Sequence, residues 1–254
     1  MTAVFEKTAS PAARLVDVRK THGAGRSSVT ALDGISLTVD VGEFICVVGA
    51  SGCGKSTLLS LVAGLDQPTS GVIDVAGRRV AMMFQEPALF PWLTAARNTE
   101  LPLRARQTPR ETRRRRAQEL LNTVGLGEFA DKRPHQLSGG MRQRVALARA
   151  LAQEADMLVM DEPFGALDAI TRDLLHEELE RIWRERRLTI LFVTHNVREA
   201  VRLGDRVILL SNRPGRVAAE FPVAIERPRQ AHPRESAELA AEIIDRLHRV
   251  SSDG

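Results

Sequence analysis

The chain contains no tyrosine, and aromatic residues make up only 4% of its 254 positions. A ring for stacking must therefore come from Phe, Trp or His. Cysteine occurs only at Cys46 and Cys53, which excludes a disulfide framework. Neither has a metal-ligand spacing, Cys46 lies in an apolar run, and the pair fits a reducing compartment. Lysine is confined to Lys7, Lys20, Lys55 and Lys132, so almost all positive charge is arginine. The net charge of +4 is modest and spread out, which gives nucleic-acid binding little support. No apolar run approaches the roughly 18 residues of a membrane-crossing helix. Met1 to Pro11 lacks the apolar stretch of a secretory signal. Any membrane association would come through a partner.

Against that background one segment stands out. Residues 49–57 read Gly-Ala-Ser-Gly-Cys-Gly-Lys-Ser-Thr, between the apolar run Phe44 to Val48 and a helical pattern that starts at Lys55. This is the strand–loop–helix context of a phosphate-binding loop. Gly49, Gly52 and Gly54 are expected to adopt backbone angles that a Cβ forbids. The N–H groups of Ser51, Gly52, Cys53 and Gly54 can then converge on an anion at a helix N-terminus. Lys55 is placed to reach the β- and γ-phosphates of a nucleoside triphosphate, Ser56 to put its hydroxyl on Mg²⁺, and Thr57 to complete the cradle.

Two further apolar runs end in chemistry. Met157 to Met160 delivers Asp161 and Glu162. Asp161 fits a Mg²⁺-holding acid and Glu162 a general base that polarises the attacking water. Thr189 to Thr194 ends at His195, which fits a contact to the γ-phosphate or to that water. Ligands of open parallel sheets bind at such carboxyl ends. A second anion-binding pattern, Leu-Ser-Gly-Gly at 137–140, precedes a helical run from Met141 to Ala152. Taken alone it reads first as an ordinary Ser-capped helix following a Gly-rich turn. As an anion site, it would let one triphosphate join two protomers, and two-fold symmetry would make two sites.

The ordered set of Gly49–Thr57, Gln85, Leu137–Arg144, Met157–Glu162, Gly165–Asp168 and His195 resembles the ATP-binding subunit of an ABC transporter over about residues 13–230. The alternation of strand and helix is itself α/β. The resemblance implies a P-loop NTPase, RecA-like core with an N-terminal antiparallel β subdomain and an inserted α-helical subdomain. It implies a flexible lead at 1–12, a catalytic core at 13–85 and 155–225, a helical insert at 86–154 and a tail with a helix at 226–254. It also implies the cofactors ATP and Mg²⁺. On that resemblance Gln85 would touch Mg²⁺ or water and sense a membrane partner, Ser138, Gly139 and Gly140 would bind ATP held by a second copy, and Asp168 would cross the dimer interface. The partners would be that second copy, transmembrane permease subunits and, indirectly, an extracytoplasmic solute-binding protein, with no direct nucleic acid. The chain would sit at the cytoplasmic face of the cell membrane.

Leu-Phe-Pro-Trp (89–92), Ser-Asn-Arg-Pro-Gly-Arg-Val (211–217) and Glu-Arg-Pro-Arg (226–229) resemble the nitrate, sulfonate and taurine importer branch. The rival readings are the ATPase of an exporter, a soluble ABC ATPase acting on nucleic acid or ribosomes, and a regulatory module without turnover. The family's usual tyrosine before the cradle is absent, and His22 stands there, either stacking on the base or lying beside a Gly-rich turn. Phe90 and Trp92 form either core or, if exposed, a groove for a permease helix. Asn196 stands where relatives often have Asp.

Overall fold

The computed structural model describes residues 11–23, 25–165 and 167–252; the lead expected at 1–12 falls outside them for residues 1–10. Strands β1 (Ala13–His22) and β2 (Val29–Val39) pair antiparallel. Strand β3 (Phe44–Val48) leaves that sheet, and β4 (Ser70–Asp74) returns to it, giving the order β2-β1-β4. The second sheet contains β3 with β5 (Val80–Met83), β6 (Met157–Asp161), β7 (Thr189–Val193), β8 (Arg206–Leu210) and β9 (Val217–Pro222), in the order β5-β6-β7-β3-β8-β9. All its neighbouring pairs are parallel except β8–β9.

The apolar runs become the middle of this sheet because helices or the other sheet cover both of its faces, as parallel sheets require. Phe44, Cys46, Val48, Leu158, Met160, Ile190 and Phe192 pack on one face, against helices α4 (Gly139–Leu151), α5 (Ala169–Arg186) and α6 (Val197–Leu203). Ile45, Val47, Val159, Leu191 and Val193 pack on the other, against α1 (Lys55–Val62) and the antiparallel sheet. Each such side chain stabilises the fold by about 1.5–3 kcal/mol on burial, so the register of these strands is strongly specified.

Between β5 and β6 the chain is helical: α2 (Ala95–Ala105), capped by Thr94, then α3 (Arg110–Thr123), then α4. The arginine run at 113–116 is largely paired, Arg113 with Glu100, Arg115 with Glu119 and Arg116 with Glu154. Among the described residues no helix is long and apolar enough to cross a membrane.

The C-terminal segment packs on its own chain. Ala240 and Ile243 of α7 (Pro233–Ser252) are buried in the core beside α6. Arg229 is buried too and donates to the carbonyls of Val201, Arg202 and Gly204, which α6 leaves unpaired at its end. Burial lowers its pKa to about 10. Arg227 binds Glu180 and Asp205 and lies over the Trp183 ring at 4.5 Å.

Candidate functional site

Strand register brings the three motifs together. Val193 of β7 is level with Val47 of β3 on one side and with Asp161 of β6 on the other. Gly49 and His195 therefore leave the sheet at the same height as the carboxylates, from three adjacent strands.

Around these ends lies a cavity of ≈ 530 Å³, lined by His22, Val29, Ser51, Gly52, Lys55, Ser56, Gln85, Asp161, Glu162 and Arg213, with Ala31, Gly54 and Thr57. Lys55 Nζ donates to the carbonyls of Gly49 (2.9 Å) and Ala50 (2.8 Å). Gly54 caps α1 at φ 103°, with no side-chain cap on the helix. The first N–H groups of α1 thus face the cavity without an internal acceptor. Gly52 also has a positive φ, 77°. Gly49 does not, which corrects the expectation for it: a Cβ there would lie 2.8 Å from Cys53 Sγ and 3.1 Å from the Leu210 carbonyl, so lack of space excludes a side chain. Cys53 is buried behind the loop, and that burial raises its pKa.

Asp161 is half-buried. Burial raises its pKa; the Ser56 hydroxyl, which donates to it, and the Lys55 charge oppose that rise, while the Glu162 charge adds to it. Glu162 follows in the left-handed region, at φ 42°. A non-glycine residue there stores roughly 1–3 kcal/mol of strain. The bend turns its carboxylate toward His195, whose Nδ1 lies 2.9 Å from Oε2. Gly165 stands opposite both, its missing Cβ 3.7 Å from Glu162 Oε2 and 3.8 Å from His195 Cε1.

Beneath His195 lies a buried polar layer that motif reading did not single out. His176 Nε2 is 2.6 Å from Glu199 Oε1, the Thr194 hydroxyl donates to Glu199 Oε2, and Asn196 N–H donates to Thr194 Oγ1 at 3.0 Å. Asn196 caps α6, accepting from the N–H groups of Arg198 and Glu199. An amide oxygen does this as a carboxylate would, so Asn in place of Asp costs the helix no cap. Gln143 was also missed. It is buried in α4 and donates to the carbonyls of Gln85 (3.3 Å) and Pro163, joining the 137–144 segment to the two carboxyl-end loops. Arg149 joins the same helix to the carbonyls of Pro87 and Ala88, both at 2.8 Å. Only the polar residues inside the apolar helical pattern hinted at such ties.

Ser138, Gly139, Gly140 and Asp168 are not among the cavity's lining. Ser138 caps α4 by accepting from Met141 N–H at 3.2 Å, and Asp168 caps α5 by accepting from Thr171 N–H at 2.9 Å. That bond holds the Asp168 carboxyl below its usual pKa. Gly140 fits tightly under α5, its missing Cβ 2.5 Å from Thr171 Cγ2. His22 is exposed and lines the cavity beside Val29, its partner across β1 and β2. Phe90 and Trp92 are exposed at 42% and 66%, with ring centroids 5.4 Å apart, so they are surface and not core.

A family model described as ABC transporter matches residues 32–165. The chain is 48% identical to an aliphatic sulfonates import ATP-binding protein of Mesorhizobium japonicum, over 85% of this chain and 82% of that protein. It is 47% identical to a nitrate import ATP-binding protein of a Synechocystis species, over 82% and 81%, and 43% identical to a bicarbonate transport ATP-binding protein of the same source, over 84% and 79%. The solved dimeric, post-hydrolysis structure of the ATP-binding cassette MJ0796 with ADP and Pi matches with a TM-score of 0.75 at 35% identity, covering 84% of this chain and all of that one. With its phosphate loop, paired carboxylates and Leu-Ser-Gly-Gly segment held on this fold, the chain belongs to the ABC transporter family.

Proposed function

We propose that this chain binds and hydrolyses ATP to power a membrane importer for a small oxyanion or sulfonate-type solute. It works at the cytoplasmic face as a dimer with two composite ATP sites. The observation that carries the hydrolytic reading is the level set of strand ends, with Lys55, Asp161 and Glu162 lining one cavity and His195 held against Glu162 at 2.9 Å. The solute class rests on the sulfonate, nitrate and bicarbonate relatives. The dimer is supported by the dimeric solved cassette and by the anion-binding pattern at 138–140 standing apart from the cavity.

In this reading the cradle N–H groups and Lys55 hold the β- and γ-phosphates and neutralise charge on the leaving ADP. Glu162 accepts a proton from water as its oxygen attacks the γ-phosphorus, and the bond from that phosphorus to the β–γ bridging oxygen breaks. His195 orients the Glu162 carboxylate and contacts the γ-phosphate. Ser56, Asp161 and Gln85 form an all-oxygen donor set that fits Mg²⁺, and the raised pKa of Asp161 fits a carboxylate that a cation would relieve. A bound Mg²⁺ would offset negative charge between the phosphates. In the dimer, Ser138, Gly139 and Gly140 reach the γ-phosphate held by the second copy, Asp168 lies at the crossing, and His22 stacks on the base. The exposed Phe90–Trp92 pair receives a permease helix, and the permease works with an extracytoplasmic solute-binding protein. The catalytic core is assigned to 13–85 and 155–225, the insert to 86–154 and the tail to 226–254.

The test is Mg²⁺-dependent phosphate release by the purified chain, together with light scattering of Glu162→Gln. Turnover should fall by about 10²–10⁴-fold, the range for a lost general base, while saturating ATP doubles the particle mass. A Glu162→Gln protein that stays monomeric with ATP would overturn the composite site. Affinity purification from detergent-solubilised membranes should recover a multi-spanning permease; recovery with ribosomes instead would favour the soluble ATPase.

A further inference from the structure

The turn between β8 and β9 is held at three places. Gly215 N–H donates to the Ala31 carbonyl at 2.9 Å, and Asp33 N–H donates to the Gly215 carbonyl at 3.0 Å, which ties the turn to β2. Against the phosphate loop Gly215 has no room for a side chain, since a Cβ would lie 2.2 Å from the Cys53 carbonyl. Within the turn Ser211 Oγ donates to the Pro214 carbonyl at 3.0 Å and accepts from Arg216 N–H at 2.9 Å. The two arginines it carries then part. Arg216 is neutralised by Asp33, to which its Nε donates at 2.9 Å and which also holds Arg19 at 2.7 Å. Arg213 turns back over the phosphate loop, its Nε donating to the Gly52 carbonyl at 3.3 Å, and lines the cavity with Ser51, Gly52 and Lys55. Its guanidinium rests where Gly52 lacks a Cβ, 3.3 Å from that position. Among the described residues no carboxylate pairs with it.

We infer that Arg213 is a nucleotide-binding residue whose guanidinium contacts the polyphosphate as a second cation beside Lys55; this rests on the nucleotide reading above. A guanidinium fork on a fixed turn suits phosphate oxygens, and it is already in place before the ligand arrives. The Gly52 carbonyl uses only one of its five N–H donors. The fixed turn therefore does for phosphate binding what a second lysine would otherwise do in this lysine-poor chain.

The experiment is equilibrium binding of ATP, GTP and inorganic tripolyphosphate to the full-length chain and to Arg213→Ala, Arg213→Gln and Arg213→Lys. The expected result is a Kd raised about five- to tenfold for all three ligands in Arg213→Ala and Arg213→Gln, with most of the affinity kept in Arg213→Lys. An effect on ATP and GTP but not on tripolyphosphate would overturn the phosphate contact in favour of the base. Unchanged binding of all three, with losses confined to melting temperature or turnover, would overturn it in favour of a loop brace or a dimer contact. The Arg213→Lys protein separates misfolding from lost contact, because it keeps the charge on the same turn. A wild-type chain that binds all three ligands yet releases no phosphate refutes the hydrolytic function alone, whereas one that binds none refutes both.

Discussion

Two helix starts in this chain carry the same kind of anion-binding sequence and use it differently. Helix α1 begins at Gly54 with no side-chain cap, on the floor of the 530 Å³ cavity. Helix α4 begins at Ser138, whose hydroxyl already accepts from Met141 N–H, and it lies outside that lining. An uncapped start surrounded by Lys55, Asp161 and Glu162 is a phosphate cradle that one chain builds. A capped start outside that lining has its own internal work, and in the proposed dimer it meets the ATP held by the second copy. On the function proposed above, the difference separates nucleotide binding by one protomer from turnover that requires a second copy.

The widest test of that comparison sets Lys55→Ala against Ser138→Arg. Lys55→Ala should weaken ATP binding to the monomer by about 100-fold or more, since the point charge in the cradle is lost, and turnover should vanish with it. Ser138→Arg should leave monomer binding within about twofold in equilibrium dialysis and still bring turnover to about 1% or less. Equal turnover in Ser138→Arg and the wild type would end the idea that α4 serves a second copy.

Next in size is the polar layer beneath His195. Glu199→Ala strands the buried His176 and the Thr194 hydroxyl. Breaking such a buried pair costs about 3 kcal/mol or more, roughly 6–12 °C in melting temperature at this chain length. A drop under about 2 °C in a calorimetric scan would show that the layer is not a firm support.

Gln143→Leu should cost about 1–3 kcal/mol, the range for a carbonyl left buried and unpaired. Because Gln143 links α4 to the Gln85 and Pro163 loops, turnover should fall while monomer ATP affinity holds. A fall in affinity would place Gln143 on the α1 side of the comparison. The smallest effect should come from the cap alone. Ser138→Ala should cost about 1 kcal/mol by urea unfolding and Ser138→Asn only a few tenths. Turnover lost in Ser138→Asn with stability intact would separate the outward role of this residue from its inward one.

How much of this was readable in advance depended on distance along the chain. The cradle was legible because its residues are contiguous and their flanks carry the strand and helix patterns. Asp161, Glu162 and His195 were legible because each ends an apolar run. Gly49 was read for the wrong reason, since a crowd of neighbours and not a backbone angle excludes a side chain there. Gln143 and Arg213 were passed over as sites because their partners lie 58 and 161 positions away, and no local pattern marks such a pair. His176 was unremarkable until folding set it against Glu199. The Glu-Arg-Pro-Arg segment was visible as a string, but its work in holding the tail to α6 was not.

The sequence by itself determined the phosphate loop, the two carboxylates, the order of strands and helices and the family, because glycine freedom, short-range spacing and apolar periodicity act between near neighbours. Tertiary structure alone decided which strand ends stand level, which arginine is neutralised and which lines the cavity, and that Ser138 lies outside the lining its own chain builds. Those outcomes depend on sheet register and on contacts between distant segments, where burial fixes geometry that no local pattern encodes.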